Sequence, residues 1–464
     1  MKNVAVQGIG YVGAALSVAI AGRLDKKNKP LFNVMAINEK TELGLQRVKN
    51  INSGVFPFKT KDNKLQQELK KSILRKNIIA GHSLSYYKLA SVIVICINCD
   101  LIEKNKQTNI DLPYFKRGIK EVAENIKVNT LVVVESTVPP GTCEKIIYPI
   151  FIETFKKRNL DPKKILLAHS YERVMPGKNY LDSIVNYWRV YSGINKKSQV
   201  LCARFFSKII NVKKYPLFKL ENTTSSETAK LLENSYRAVN IAFIEEWSRF
   251  AEKIGLDIFP ILEAIRKRPS HNNIMQPGFG VGGNCLTKDP IFCQIAAKKI
   301  FKLKKVNFEF SKKALRINKR MPLVTYQKIR DFYNKNLNNK KFLIMGVSYK
   351  EDINDTRYSP TEMLFRKLKK SNAIVTVHDP MVTFWNEMGI KVSKSYPNMN
   401  SFDAIVFTVR NEEYKKINFK KKINKKNILI MDANNVLSEK QHKILKEKNY
   451  NLISIGRGWI WRES

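Results

Sequence analysis

The sequence predicts two doubly wound α/β domains joined by a long helical segment, and three patterns carry that prediction. Short apolar runs alternate with amphipathic stretches through the first half of the chain, residues from Ser225 to Ile254 keep helical spacing almost without interruption, and a second alternation opens at Lys341. A length of 464 residues allows each of these parts its own core.

In the first half, strands are expected at Asn3 to Gln7, Asn33 to Ile37, Val92 to Ile97, Thr130 to Glu135 and Ile165 to Ala168. Between them lie helical patterns such as Leu112 to Ile126, apolar at Ile119, Val122, Ala123 and Ile126. The long helix follows, with Ala229, Leu232, Tyr236, Val239, Ile241 and Phe243 recurring at helical spacing. The second alternation places strands at Phe342 to Met345, Ile374 to His378, Ala404 to Val409, Ile428 to Asp432 and Leu452 to Ile455, with a helix from Pro360 to Leu368. The segments implied are residues 1–221, 222–335 and 336–464, the basic stretch Asn334 to Lys341 serving as the later linker.

Apolar residues make up 44% of the chain, with only 20 Gly, 17 Pro and 6 Cys, which excludes collagen-like, disordered and disulfide-scaffold classes. The net charge of +43 directs attention to anionic partners: nucleic acid, membrane surface or anionic small molecules. Sixty-three of the 83 cations are Lys, not the bidentate Arg that phosphate and base recognition favours, and they are spread along the chain. No nucleic-acid partner is therefore expected, and the lysine run Lys415 to Lys426 reads as a solvated helix and loop. The apolar stretch Val4 to Ala21 resembles a signal peptide only superficially, because Gly8, Gly10 and Gly13 break it in a way that suits a strand and turn. No other stretch reaches membrane-spanning length, so no membrane partner and a cytoplasmic location are expected. The scattered cysteines suit reduced thiols, and Cys96-Ile97-Asn98-Cys99 lacks the second pair a metal site needs, so no metal is expected.

Gly8-Ile9-Gly10-Tyr11-Val12-Gly13 follows a strand and opens a helix, the context of a dinucleotide fingerprint and of a Rossmann-like domain. The first Gly makes the turn, the second lets backbone approach a pyrophosphate, the third lets helix pack on strand. The residue for the adenosine ribose should end the second strand, where Asn38 and Glu39 stand; with no Arg adjacent in sequence, NAD is expected over NADP. A second constellation is Gln276 to Pro290, in which Gly278, Gly280, Gly282 and Gly283 cannot make a good helix or strand interior. This loop delivers Cys285 beside Lys288, a thiol with a nearby cation to favour thiolate.

These motifs together resemble the nucleotide-sugar dehydrogenase family that includes the UDP-glucose, UDP-N-acetylhexosamine and GDP-mannose dehydrogenases. The resemblance runs over essentially the whole chain in six ordered motifs: Gly8 to Gly13, Glu135 to Thr142, Tyr171-Glu172-Arg173 with Pro176-Gly177, Glu227 to Lys230 with Asn234, Gly280 to Asp289, and Gly346 to Asp352 with Asp355 to Arg357 and Ser359-Pro360. It implies two Rossmann-like domains, the first for NAD and the last for a UDP-sugar, joined by a helical dimerisation segment that carries the cysteine loop. It also implies a homodimer or higher homo-oligomer and a double oxidation of a sugar C6 alcohol to a uronic acid, for polysaccharide biosynthesis.

The same resemblance implies roles. Cys285 would attack the aldehyde, Lys230 would stabilise the alkoxide-like oxygen, Asn234 would address the same oxygen or water, Thr137 and Asp289 would orient water, and Glu172 would be the base of thioester hydrolysis. Cofactor contacts would come from Gly8, Gly10, Tyr11, Val12, Gly13, Asn38, Glu39, Thr137 and Lys288. Substrate contacts would come from Glu172, Arg173, Lys230, Asn234, Gly282, Gly283, Lys350, Arg357 and Arg268. Outside that context Glu227 and Lys230 read as a surface pair, Asp289 as a helix cap and Glu172-Arg173 as a local ion pair. Two segments depart from the family pattern: Ile97 to Asp100 lacks its usual turn, and Asp432 to Asn435 lacks an Arg expected on the diphosphate. The start of the cysteine loop is similar to the N-acetylhexosamine branch, whereas Cys-Leu-x-Lys-Asp is similar to the glucose and mannose branches, which leaves the hexose open. A two-electron dehydrogenase of the 6-phosphogluconate kind and a basic nucleic-acid-binding protein on a Rossmann scaffold are the competing readings.

Overall fold

The structure, a computed structural model, describes residues 1–104, 107–110 and 112–458. The chain divides into two compact units: Met1–Glu233 with Ile291–Phe308, and Asn234–Pro290 with the chain from Glu309 onward. The first is built on an eight-stranded sheet of β1 (Lys2–Gln7), β2 (Phe32–Ile37), β3 (Ile78–Gly81), β4 (Val92–Ile95), β5 (Leu131–Val134), β6 (Leu166–His169), β7 (Val190–Gly193) and β8 (Phe218–Lys219). Its strand order is 8-7-6-5-4-1-2-3, with β7 antiparallel to β6 and β8 parallel to β7. The six parallel strands give the order of a dinucleotide-binding sheet, whose ligand crevice opens where β1 and β4 diverge.

Successive side chains of a strand face opposite sides, and the sequence supplies both sides. Val4, Val6, Val34 and Val94 enter one buried cluster, whereas Ala5, Met35, Ile93 and Ile95 enter the other. Helix α1 (Tyr11–Ala21) is nearly all Ala, Val, Leu and Ile, and it is buried from Gly13 to Ala21. The apolar stretch after the N-terminus is thus strand, turn and core helix rather than one continuous helix.

The second unit holds a five-stranded parallel sheet of β9 (Lys341–Met345), β10 (Ile374–His378), β11 (Ala404–Phe407), β12 (Leu429–Asp432) and β13 (Asn451–Ser454), in the order 10-9-11-12-13. Here the crevice lies between β9 and β11. Between the sheets in sequence run α2 (Thr223–Lys253), whose 31 residues make it about 46 Å long, and α3 (Glu309–Phe332). Helix α4 (Pro360–Lys370) is capped by Ser359, whose hydroxyl accepts from Thr361 N. The expected linker Asn334 to Lys341 makes two successive turns, with Asn334, Lys335 and Asn339 in left-handed conformation, and Lys341 already opens β9.

Several boundaries differ from expectation. The strand expected over Val92 to Ile97 ends at Ile95, and Cys96 and Ile97 line a cleft instead. Strands β3, β7 and β8 and the hairpin Leu101–Lys104 with Gln107–Ile110 were not expected; they are short, and β8 is exposed at the sheet edge. Among the described residues no helix is long and apolar enough to cross a membrane.

Candidate active site

The dinucleotide crevice contains a cavity of about 680 Å³ lined by Gly8, Gly10, Asn38 and Glu39. Gly8 has φ +97°, and a Cβ there would lie 2.8 Å from the Cys96 carbonyl oxygen. A Cβ on Gly13 would lie 1.9 Å from the Gly8 carbonyl oxygen, so this glycine allows α1 to pack on the turn. A Cβ on Gly10 would meet nothing within 4 Å, leaving room for a ligand at the helix start. The residues present therefore fit a dinucleotide. Tyr11, Val12 and Gly13 do not line the cavity; Tyr11 stacks on Phe58 at 4.0 Å, and its carbonyl accepts from Tyr180. Asn38 Oδ1 accepts from Ile9 N at 3.0 Å, so the amide bridges β2 to the glycine turn. Arginines absent from the adjacent sequence are present in space, because Arg47 and Arg117 both line the cavity and Arg117 pairs with Glu39 at 3.2 Å.

Thr137, Glu172, Arg173 and Lys230 belong to the first unit. Thr137 follows β5 and is half-buried, while Glu172 and Arg173 follow β6. Lys230, on α2, is buried and donates from Nζ to the Glu172 carbonyl at 2.8 Å and to Glu172 Oε1 at 3.3 Å. Glu172 Oε2 accepts from Val174 N at 2.6 Å. Glu172 and Arg173 are not paired with each other. Arg173 binds Glu233, which also accepts from Tyr171 Oη at 2.9 Å. Behind them Glu135, the first residue of its motif, is fully buried against Arg189; burial pushes its carboxyl up against the pull of that guanidinium.

Glu227 is likewise no surface partner of Lys230. It is fully buried and accepts from Gly141 N at 2.6 Å and Cys143 N at 2.8 Å, tying the first turns of α2 to the Glu135 to Thr142 loop. Burial raises its pKa from the ordinary 4.5 to about 7. A carboxyl whose folded pKa is raised stabilises the fold fully below its unfolded value, and that contribution is lost as pH rises through the folded value. Between pH 4.5 and 7 the loss from Glu227 is expected to be about 3 kcal/mol. Denaturant titrations at both pH values should show Glu227→Gln losing less stability over this window than the parent by about that amount; an unchanged slope would sink the assignment.

The second unit holds the cysteine loop. Cys285 is exposed, whereas the other five cysteines are buried or half-buried. Asp289 is buried at the start of helix Asp289–Ile295; its Oδ2 accepts from Asn234 Nδ2 at 2.7 Å and its Oδ1 lies 3.2 Å from Lys288 Nζ. Asn234 stands one turn beyond Lys230 on α2. The loop packs on the segment between β9 and α4: Gly283 N donates to the Arg357 carbonyl at 3.2 Å, and added Cβ atoms on Gly282 and Gly283 would lie 2.7 and 2.6 Å from Tyr349. The fifth and sixth motifs are thereby brought together. Lys350 is half-buried in that segment, and Arg357 is held by both carboxylate oxygens of Asp355, at 2.9 and 2.7 Å. Arg268 is exposed beyond helix Ile258–Arg266, and Arg266 is taken by the Ile274 carbonyl.

Arg410 was missed in the sequence. It follows β11 at the crevice of the second sheet, where Nε donates to the Asn434 carbonyl at 2.5 Å. An Arg just beyond an apolar strand at a topological switch point was the available signal. Asp432 has a different task, its carboxylate accepting from Val436 N at 2.8 Å and Leu437 N at 3.0 Å.

The chain matches the UDP-glucose/GDP-mannose dehydrogenase family through its NAD binding domain at residues 2–210, its central domain at 224–320 and its UDP binding domain at 343–439. A UDP-N-acetyl-D-mannosamine dehydrogenase of Methanocaldococcus jannaschii is 31% identical over 98% of this chain and 97% of its own length. An NDP-N-acetyl-D-galactosaminuronic acid dehydrogenase of Ralstonia nicotianae is 24% identical over 90% of this chain and 92% of its own. The solved structure of a UDP-D-ManNAc dehydrogenase from Pyrococcus horikoshii superposes with a TM-score of 0.82 at 27% identity, covering 98% of this chain and all of that one. With three domains matched in order and full-length relatives, the chain belongs to the UDP-glucose/GDP-mannose dehydrogenase family, whose nicotinamide cofactor is NAD.

Proposed function

We propose that the chain oxidises the C6 alcohol of a UDP-N-acetylhexosamine to the carboxylate, with UDP-N-acetyl-D-mannosamine the first substrate to test. The observation that carries this reading is the packing of the Cys285 loop on the segment that bears Lys350 and Arg357. A sugar whose diphosphate is held by that segment has its reacting carbon beside a thiol. The full-length relative named for UDP-N-acetyl-D-mannosamine supports the choice of sugar. NAD supplies the hydride acceptor at both oxidations.

In balance, one alcohol, two NAD+ and one water give one carboxylate, two NADH and three protons. The first hydride loss leaves an aldehyde. Cys285 adds its sulfur to that carbon, giving a thiohemiacetal that cannot diffuse away. Its second hydride loss leaves a thioester, which water cleaves, returning the thiol and releasing the acid. Lys230 and Asn234 hold the negative oxygen, as the alkoxide in each hydride transfer and as the oxyanion at each addition, Thr137 and Asp289 orient the water, and Glu172 takes its proton. Gly282, Gly283, Arg173 and Arg268 are assigned to the substrate, and Lys288 to the cofactor.

Purified protein incubated with UDP-N-acetyl-D-mannosamine and NAD+ should form two NADH per uronic acid. One NADH with a ketone product would point instead to the simple two-electron reaction, and no turnover with any UDP-sugar would remove the reading.

We further propose a homodimer through α2, in a cytoplasmic setting that suits six thiols with no disulfide. Tyr236, Phe243, Trp247 and Phe250 on α2, with Ile254 just beyond its end, recur at three-, four- or seven-residue steps, each 44–54% exposed. An unpaired apolar stripe of this spacing fits a second copy of the same helix. Trp247→Glu should shift the sedimenting species to monomer; a wild-type protein already monomeric at micromolar concentration would contradict the proposal.

A further inference from the structure

The cavity at the β1–β4 crevice differs from one built to admit only a free adenosine ribose. A dinucleotide sheet selective for NAD places a carboxylate at the end of its second strand, which binds the ribose 2′-hydroxyl and repels a 2′-phosphate. Here that position is Asn38, uncharged, with its Oδ1 occupied by Ile9 N at 3.0 Å and its carbonyl accepting from His82 Nδ1 at 2.8 Å. The next residue, Glu39, has its carboxylate drawn to Arg117 at 3.2 Å.

Three cations stand on the cavity wall: Lys40, Arg47 and Arg117. Both arginines are placed by aromatic rings, Arg47 over Phe58 and Arg117 over Tyr114, each at 5.2 Å from the ring centroid. A guanidinium so placed offers a planar fork of donors to a phosphate, at low entropic cost. The wall also carries the carboxylates Glu39, Asp100 and Glu121, so the charges are balanced. Balance predicts acceptance of both ribose forms.

We propose that this cavity admits a 2′-phosphate on the adenosine ribose, with Arg47 and Arg117 as its ligands, so that the chain binds NADP as well as NAD. The inference rests on assigning the cavity to the adenosine end of the dinucleotide. Titration calorimetry on the whole protein with ADP-ribose and with ADP-ribose 2′-phosphate tests it without any turnover. The two affinities are expected to agree within about tenfold, because an Arg–phosphate contact offsets the desolvation of the added charge. Asn38→Asp should widen the preference for ADP-ribose by about tenfold or more, through a carboxylate facing the 2′ position. The Arg47→Ala/Arg117→Ala double variant should do the same. A wild-type preference for ADP-ribose of more than tenfold would overturn the inference, as would equal losses for both ligands in the double variant. If ADP-ribose also fails to bind, the assignment of the cavity falls with it; if only the phosphorylated form fails, the NAD reading stands.

Discussion

Cys285→Ser is expected to lose uronic acid formation by on the order of a thousandfold or more, while the first oxidation continues at a measurable rate. The two steps differ in what they ask of the chain. Removing a hydride from the alcohol needs the sugar and cofactor in register and a place for the proton, but no covalent bond to the protein. The second needs a tetrahedral adduct, and a serine hydroxyl, with a pKa far above that of a thiol, supplies almost no anion to form it. Cys285 is the cysteine with the required exposure. Burial pushes the Cys96 and Cys143 thiols well up, so neither can substitute as thiolate. The variant should therefore release aldehyde or retain it unreacted, with about one NADH per sugar in a single-turnover experiment. Two NADH per sugar at the parent rate would exclude a covalent role for Cys285.

The motifs of the candidate site are local in the sequence, whereas the pairings of its charged residues are not. The glycine pattern Gly8 to Gly13 was readable because strand, turn and helix are local, and so was the loop from Gly278 to Cys285. Long-range ion pairs were not readable. Adjacency suggested Glu172 with Arg173, and helical spacing suggested Glu227 with Lys230. The fold instead joins Glu172 to Lys230, Arg173 to Glu233 and Glu227 to backbone N–H groups of another loop. Residues next to each other after a strand tend to point apart, and each charge meets a partner 58 or more residues away. The buried Glu135–Arg189 pair was missed for the same reason: nothing near either residue in sequence reports the other. Strand β8 escaped because its two residues are exposed on a sheet edge, where alternation has no core to report. The same blindness affected the cofactor cleft, where Arg117 lies 78 residues from the Glu39 it binds.

Lys230 carries the second large effect. Its ammonium is buried, donates to the Glu172 carbonyl and carboxylate, and lies 5.7 Å from the Tyr171 ring. As the proposed holder of the oxyanion, its loss in Lys230→Ala should lower kcat by about a hundredfold to a thousandfold, the range for removing one such donor from a water-poor site. The same substitution leaves Glu172 buried without its cation, which should cost about 3 kcal/mol of stability and confuse a simple reading of the rate. Two further variants separate the effects. Glu172→Gln in the Lys230→Ala background removes the orphaned charge, so the melting temperature should recover while the first hydride transfer, in which no thioester is yet cleaved, stays slow. Lys230→Arg keeps the charge with a different reach, so it should keep most of the stability and little of the rate. Recovery of the first oxidation together with stability in the double variant would mean that Lys230 only positions Glu172; a rate that stays low after stability has returned leaves the ammonium itself as the group the developing oxyanion requires.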